Sequence, residues 1–386
     1  MTKYLTILFA FFCTLLITAC HEDKSDDTSP DEPNKQTIIC FFPWSGTENT
    51  NGLYAFLQQN VREIQQAIIE NKGFRQARYL CFMSNKPNSA VLYEMRFKNG
   101  KCVSDTLKRY NNPDFSKAET IHGIFSDAMT EAPADNYAAI VGGHGSGWIP
   151  APSSAKKKTR FIGGYSGQYA TDTQVFTEAL KATGKKFQFV LFDNCYMANI
   201  EIAYDMREVT DFIIASTSEI IERGIPYNRL FKYIVGNPDY QQFVNNFHDF
   251  YKSYIYPYGA IAIIDCRHAE QMADVMRRIN QQFKITSTQL RLVQTLDGYS
   301  PPVFYDMGDY VVNLCDDQTL LNEFQQTLKL LVPYAMTTDV LYSEYSKKTF
   351  TVNAFSGITI SDPSTNDMAK SKQESSWYKS THYFFF

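Results

Sequence analysis

Residues 187–206 read FQFVLFDNCYMANIEIAYDM, and the parsing of this stretch decides the fold. From Phe187 to Asp193 the run is apolar apart from Gln188 and the closing acid, as in a strand buried on both faces. Asp193, Asn194 and Cys195 interrupt it. Beyond them Met197, Ile200, Ala203 and Tyr204 recur at helical spacing. A strand that ends in an acid and a thiol and then enters a helix presents a reactive group at the carboxyl edge of a parallel sheet. A thiol at the amino end of that helix would feel a positive dipole that favours its thiolate. One cysteine in such a place is weak evidence by itself, because small buried cysteines are common in sheet cores.

A second stretch changes its weight. Tyr137 to Trp148 reads YAAIVGGHGSGW, another short apolar run that breaks into glycines around His144. Glycines there permit close backbone approaches that side chains would obstruct. If the strands before His144 and Cys195 are neighbours, imidazole and thiol face each other across one cleft.

Around these two runs the chain alternates strand and helix patterns. Strands are expected at 37–42 and 79–83, and a hairpin over 90–97 and 102–107 about the turn signal Asn99-Gly100. Further strands are expected at 137–142, 187–192, 212–215, 260–264 and 357–360. Apolar periodicity predicts helices over 52–70, 120–129, 171–183, 228–235, 239–255, 267–290 and 320–331. The alternation predicts an α/β fold with a mostly parallel central sheet and helices on both faces. Residues 291–386 are less regular, but no linker composition separates them from the rest of the body, 37–386.

The amino terminus reads differently. Lys3 precedes an apolar run to Ala19 that is too short for a comfortable membrane span, as in a signal peptide over 1–19. It ends in Leu16-Ile17-Thr18-Ala19-Cys20, which resembles the lipobox of bacterial lipoproteins. That resemblance implies a diacylglycerol-bearing Cys20 and a lipid anchor in the bacterial cell envelope, at the outer membrane or cell surface. An ordinary secretory signal cut elsewhere is the alternative. Residues 20–36 hold two lysines against six acidic residues and have the composition of a disordered tether. They account for the net charge of −4, so the body is nearly neutral and offers no electrostatic case for nucleic acid. Eight cysteines without regular close spacing do not read as a disulfide framework. No C-x-x-C pair or histidine cluster suggests a metal.

The stretches HGSGW and FDNCYM resemble the catalytic segments of the clostripain family of cysteine peptidases, which belongs with the caspases. The similarity continues through Ile202-Ala203-Tyr204, Ala215-Ser216-Thr217, Asp306 to Tyr310 and Ser356 to Ile360, and so covers most of 37–386. It implies a caspase-like three-layer sandwich and hydrolysis of protein or peptide substrates after arginine or lysine. Cys195 matches the nucleophile, His144 the catalytic histidine, and Asp193 the acid at the base of the pocket for a basic side chain. The residue chemistry agrees. An imidazole activates a thiol and then protonates the leaving amine. The backbone N–H groups of Gly145 and Cys195 are placed to form an oxyanion hole. A carboxylate beside a thiolate raises the thiol pKa, a cost that makes sense if Asp193 turns away into a pocket and pairs with a substrate cation.

In the family a second acid often lines that pocket, in the loop after the strand at 212–215. Here that loop reads STSEIIERGIPYN, and Glu219 is the candidate, with Glu222 beside it. Relatives are commonly activated by cleavage between the two catalytic stretches. The basic loop 150–160, PAPSSAKKKTR, holds the candidate self-cleavage residues Lys156, Lys157, Lys158 and Arg160. No cofactor is required by this chemistry. Calcium activation occurs in the family, although no EF-hand-like loop is present. A caspase-like binding or sensor lipoprotein without activity is the alternative from another class.

Overall fold

The apolar run near the start of the body forms β1 (Gln36–Phe42), buried at every residue in the computed structural model, which describes residues 33–149, 162–164 and 167–382. It is followed by β2 (Ala77–Lys86), β3 (Ser89–Lys98), β4 (Lys101–Asn111), β5 (Asn136–Gly142), β6 (Phe187–Asp193), β7 (Thr210–Ala215), β8 (Ala260–Asp265) and β9 (Tyr334–Thr337). These strands make one nine-stranded sheet in the order β9-β8-β7-β6-β5-β1-β2-β3-β4. The middle strands, from β2 through β1, β5 and β6 to β7, are all parallel. Antiparallel pairs flank them: β3 and β4 on one side, β8 and β9 on the other. The β3–β4 turn has Asn99 and Gly100 at positive φ (51° and 75°), the conformation that a two-residue hairpin with right-handed strand twist needs.

Strand alternation sorts the core into two layers. Ile38, Cys40 and Phe42 of β1 face one cluster, and Ile39 and Phe41 face the other. The first cluster is closed by α1 (Tyr54–Glu70) through Leu57, Val61, Ile64 and Ile68. A later helix, Tyr240–Ser253, adds Phe243 and Phe247. On the opposite face lie α2 (Ala118–Glu131), α3 (Thr173–Ala182), α4 (Ile200–Asp205) and the helix Ala269–Gln282. Helices on both faces of a sheet with a parallel centre are the expected three-layer α/β sandwich.

The carboxyl-terminal third is built into the same body. Thr359 N donates to Ala198 O (3.0 Å), and Trp148 Nε1 donates to Ser361 Oγ (2.9 Å). Lys372 and Glu201, 2 % and 0 % exposed, form an ion pair at 3.0 Å, and Lys372 Nζ also donates to Ser361 O. The tail therefore braces the segments that carry His144 and Cys195.

Two local expectations fail. The helix expected over 267–290 stops at Gln282 and is followed by a separate four-residue turn, Ser287–Leu290, with its own capping box from Thr286 and Gln289. The helix after Cys195 starts only at Ile200 and is six residues long. Residues 196–199 are drawn out of helical conformation. Tyr196 has φ +62°, its N donates to Ser218 O (3.0 Å), and Ala198 N donates to Ser216 O (2.8 Å). Asn199 then caps α4 by accepting from Ile202 N (2.9 Å). Cys195 lies in a turn ahead of this and not at the helix's amino end. Among the described residues no helix is long and apolar enough to cross a membrane. Cys20 and the candidate self-cleavage residues Lys156, Lys157, Lys158 and Arg160 lie outside the described residues.

Candidate active site

Strands β5 and β6 are hydrogen-bonded neighbours, and their last register pair is Gly142 with Asp193. Two residues beyond that pair on each chain stand His144 and Cys195. The topology thus brings imidazole and thiol to one level at the carboxyl edge of the sheet, where such sheets place their sites. Both line a cleft of about 240 Å³ together with Asp193, Glu219 and Ile220, and with Leu53, Phe56 and Asn60 from the start of α1.

Backbone contacts hold the histidine segment. His144 N donates to Gly163 O (3.2 Å), and Gly163 N returns a bond to His144 O (3.1 Å). Asn194 ties the two catalytic stretches to each other, its Nδ2 donating to Gly143 O (2.8 Å) and His144 O (3.1 Å). Gly145 is pressed against the backbone of Cys195. A Cβ at Gly145 would lie 2.6 Å from Cys195 O and 2.8 Å from Cys195 N, so only glycine fits without displacement. This closeness brings the two peptide groups expected to form the oxyanion hole side by side.

The thiol is half-buried and donates to Ile220 O at 3.6 Å. The imidazole of His144 is held well below its ordinary pKa, at about 4, because burial penalises its charged form. Burial thus favours the uncharged imidazole in the resting site. The remaining described cysteines are free. Cys40, Cys81, Cys266 and Cys315 are buried in the core, and Cys102 is half-buried on β4.

Asp193 turns away from the thiol into the floor of the cleft. It is 7 % exposed and accepts hydrogen bonds from Asn60 Nδ2 (2.9 Å), Tyr227 Oη (3.1 Å) and Ile225 N (3.1 and 3.3 Å). Gly224 lies flat against the carboxylate. A Cβ there would sit 2.8 Å from both oxygens, and its φ of +64° is itself a conformation that glycine accepts at little cost. Burial raises the Asp193 pKa to about 6, opposed by the bonds from Ile225 and Tyr227 and by the Arg223 cation. Arg223 is paired with Glu63 at 2.8 Å.

Glu219 lines the same cleft, but the protein already engages its carboxylate. Tyr196 Oη (2.6 Å) and Ser343 Oγ (2.7 Å) donate to Oε1, and Glu344 N donates to Oε2 (2.7 Å). It thereby ties the residue after Cys195 to the hairpin of Val340–Ser343 and Lys348–Thr351, whose Tyr342 and neighbour Glu344 form part of the cleft wall. Glu222 is an exposed residue of the rim.

Sequence reasoning missed Asn60, Asn194, Tyr227 and the 340–351 hairpin. Asn60 carried a readable signal, since it is a polar residue on the buried stripe of α1 between Leu57 and Val61. Asn194 sat between two residues already singled out. The hairpin had no such signal, because its strands are short and half-exposed.

Comparison with known proteins identifies relatives of the whole fold. The model of the clostripain family matches residues 45–384. A secreted C11 cysteine protease from Bacteroides thetaiotaomicron, "iotapain", is 37 % identical, with 91 % of this chain and 100 % of that one covered and a TM-score of 0.85. A clostripain from Bacteroides thetaiotaomicron ATCC 29148, solved with the peptide inhibitor BTN-VLTK-AOMK, is 41 % identical over 58 % of this chain and 100 % of its own, with a TM-score of 0.57. An inactive zymogen C11 protease from Parabacteroides distasonis, at 24 % identity, shares the fold over 92 % of this chain and 100 % of its own, with a TM-score of 0.78. No curated protein sequence matches. With the family model spanning most of the chain and the histidine and cysteine strands adjacent at one sheet edge, this protein belongs to the clostripain family of cysteine proteases.

Proposed function

We propose that the chain is an endopeptidase that hydrolyses peptide bonds after lysine or arginine with a Cys195–His144 dyad. The observation that carries this is the opening of His144, Cys195 and the buried carboxylate of Asp193 onto a single cleft. The uncharged imidazole accepts the thiol proton as sulfur attacks the substrate carbonyl carbon. The carbonyl oxygen becomes an anion facing the N–H groups of Gly145 and Cys195. His144 returns the proton to the amine as the C–N bond breaks, and water then hydrolyses the thioester by the same route. Asp193 receives the basic side chain, while Glu219, already engaged by three donors, keeps the pocket wall in place.

Two readings of the chain's processing accompany this. Cleavage after Lys156, Lys157, Lys158 or Arg160 is supported by the anchoring on either side of that loop. Ile149 and Ile162 are both buried, so a cut between them leaves two ends fixed in the core. Lipidation at Cys20 would hold the enzyme at the cell envelope on the tether that follows it, which ends before Gln36, the first residue of β1, whereas one relative is described as secreted. The chemistry needs no cofactor. Calcium activation would show as a gain in rate when calcium is returned to chelated enzyme.

The test is a fluorogenic peptide with lysine or arginine before the reporter. Cleavage by the parent and none by Cys195→Ala supports the dyad, and the same pair on a gel reads self-cleavage as one chain splitting and the other staying whole. A well-folded parent that cleaves neither peptide would return the chain to the silent binding or sensor class.

A further inference from the structure

We infer that the floor of the cleft selects lysine over arginine at the cleaved bond, and that Asn60 and Tyr227 set this preference. The inference rests on Asp193 being the acid that receives the substrate's basic side chain. It follows from the way the protein itself uses that carboxylate.

A carboxylate offers about four acceptor positions, and a guanidinium binds it best by a planar fork that takes one position on each oxygen. At Asp193 the two oxygens are not equivalent. Oδ2 already accepts from Asn60 Nδ2, Tyr227 Oη and Ile225 N, at 2.9, 3.1 and 3.3 Å. Among the described residues Oδ1 accepts only from Ile225 N, at 3.1 Å. Gly224, held by Tyr251 Oη donating to its carbonyl at 2.6 Å, packs against both oxygens. The carboxylate therefore presents one open oxygen to the cleft, which accommodates a point donor and frustrates a fork.

A second acceptor stands beside it. The bond from Asn60 Nδ2 to Asp193 fixes the amide orientation, which leaves Asn60 Oδ1 as the other end of the group. That oxygen is buried with no donor among the described residues, in a residue 3 % exposed that lines the cleft. A buried acceptor without a partner costs stability unless a ligand supplies one. An ammonium carries three donors free of any planar constraint and satisfies Asp193 Oδ1 and Asn60 Oδ1 together. Arginine brings its donors in a rigid plane, and the coplanar acceptor it needs, Oδ2, is occupied.

Matched fluorogenic peptides that differ only in lysine or arginine before the cleaved bond test this with the purified protein. The expected kcat/KM favours lysine by about tenfold or more, the value of one charge-assisted hydrogen bond. Tyr227→Phe removes a donor from Oδ2 and keeps the ring packing. It should raise kcat/KM for the arginine peptide several-fold and lower the lysine-to-arginine ratio. Asn60→Leu removes the second acceptor and should reduce the lysine peptide about tenfold. If Asn60→Leu does not fold, as judged by circular dichroism, the parent and Tyr227→Phe carry the test. Equal cleavage of the two peptides by the parent, or a ratio unmoved by Tyr227→Phe, overturns the inference while leaving the peptidase reading intact. Failure to cleave either peptide overturns both.

Discussion

The acid limb of activity should belong to the pocket carboxylate and not to the catalytic histidine. Burial raises Asp193 to about 6, whereas burial lowers His144 to about 4. The sign follows from charge. A cationic substrate side chain binds the ionised carboxylate, which is lost as pH falls through 6, while the imidazole remains an uncharged base until pH is near 4. The groups around Asp193 act in both directions: Arg223, Ile225 N and Tyr227 favour ionisation, and Glu63 opposes it. Because kcat/KM reports the free enzyme, its acid limb should have an apparent pKa near 6 and a slope of one, so that the value at pH 5 is about a tenth of the plateau. In the enzyme–substrate complex the bound cation lowers the carboxylate pKa, so the limb in kcat should lie at lower pH. Asp193→Asn removes the titration. Its plateau kcat/KM for a lysine peptide should fall by about two orders of magnitude, because a buried cation then lacks its partner. The assay is a series of initial rates from pH 4 to 8 on parent and variant with one lysine peptide. A limb near pH 4 that is the same in both proteins would refute the reasoning, because the histidine would then govern the acid side.

Three further outcomes follow from the geometry. Gly145→Ala should lower kcat by about a hundredfold with little change in KM, since a Cβ 2.6 Å from Cys195 O must displace the oxyanion donors; steady-state kinetics separates the two constants. Asn194→Ala cuts the tie to Gly143 O and His144 O, and should cost about tenfold or more in kcat while an unfolding scan stays near that of the parent. Lys372→Met should destabilise the fold by about 3–5 kcal/mol in urea denaturation by leaving Glu201 charged and buried. Adding Glu201→Leu to it should recover most of the loss.

The meeting of His144 and Cys195 at one sheet edge was legible because each follows a short apolar run, and such runs in an α/β pattern pair in parallel with their carboxyl ends level. Asp193 was legible through its place two residues before the thiol. The hydrogen bonds that define its chemistry were not, because Asn60, Gly224, Ile225 and Tyr227 lie far from it along the chain, and local patterning carries no record of such contacts. The start of the helix after Cys195 was placed too early for the same reason. Met197, Ile200, Ala203 and Tyr204 have helical spacing, yet backbone bonds to Ser216 and Ser218 pull residues 196–198 out of the helix.

Sequence alone determined the layers and the edge of the sheet at which His144 and Cys195 stand, since apolar periodicity and glycine breaks are local properties of the chain. Tertiary structure decided the rest. It fixed which oxygen of Asp193 stays open, turned Glu219 into a brace for the 340–351 hairpin, and placed the tail from Thr359 to Lys372 behind the catalytic segments. These are outcomes of packing between distant segments, where a buried polar atom must find its partner wherever the fold brings one.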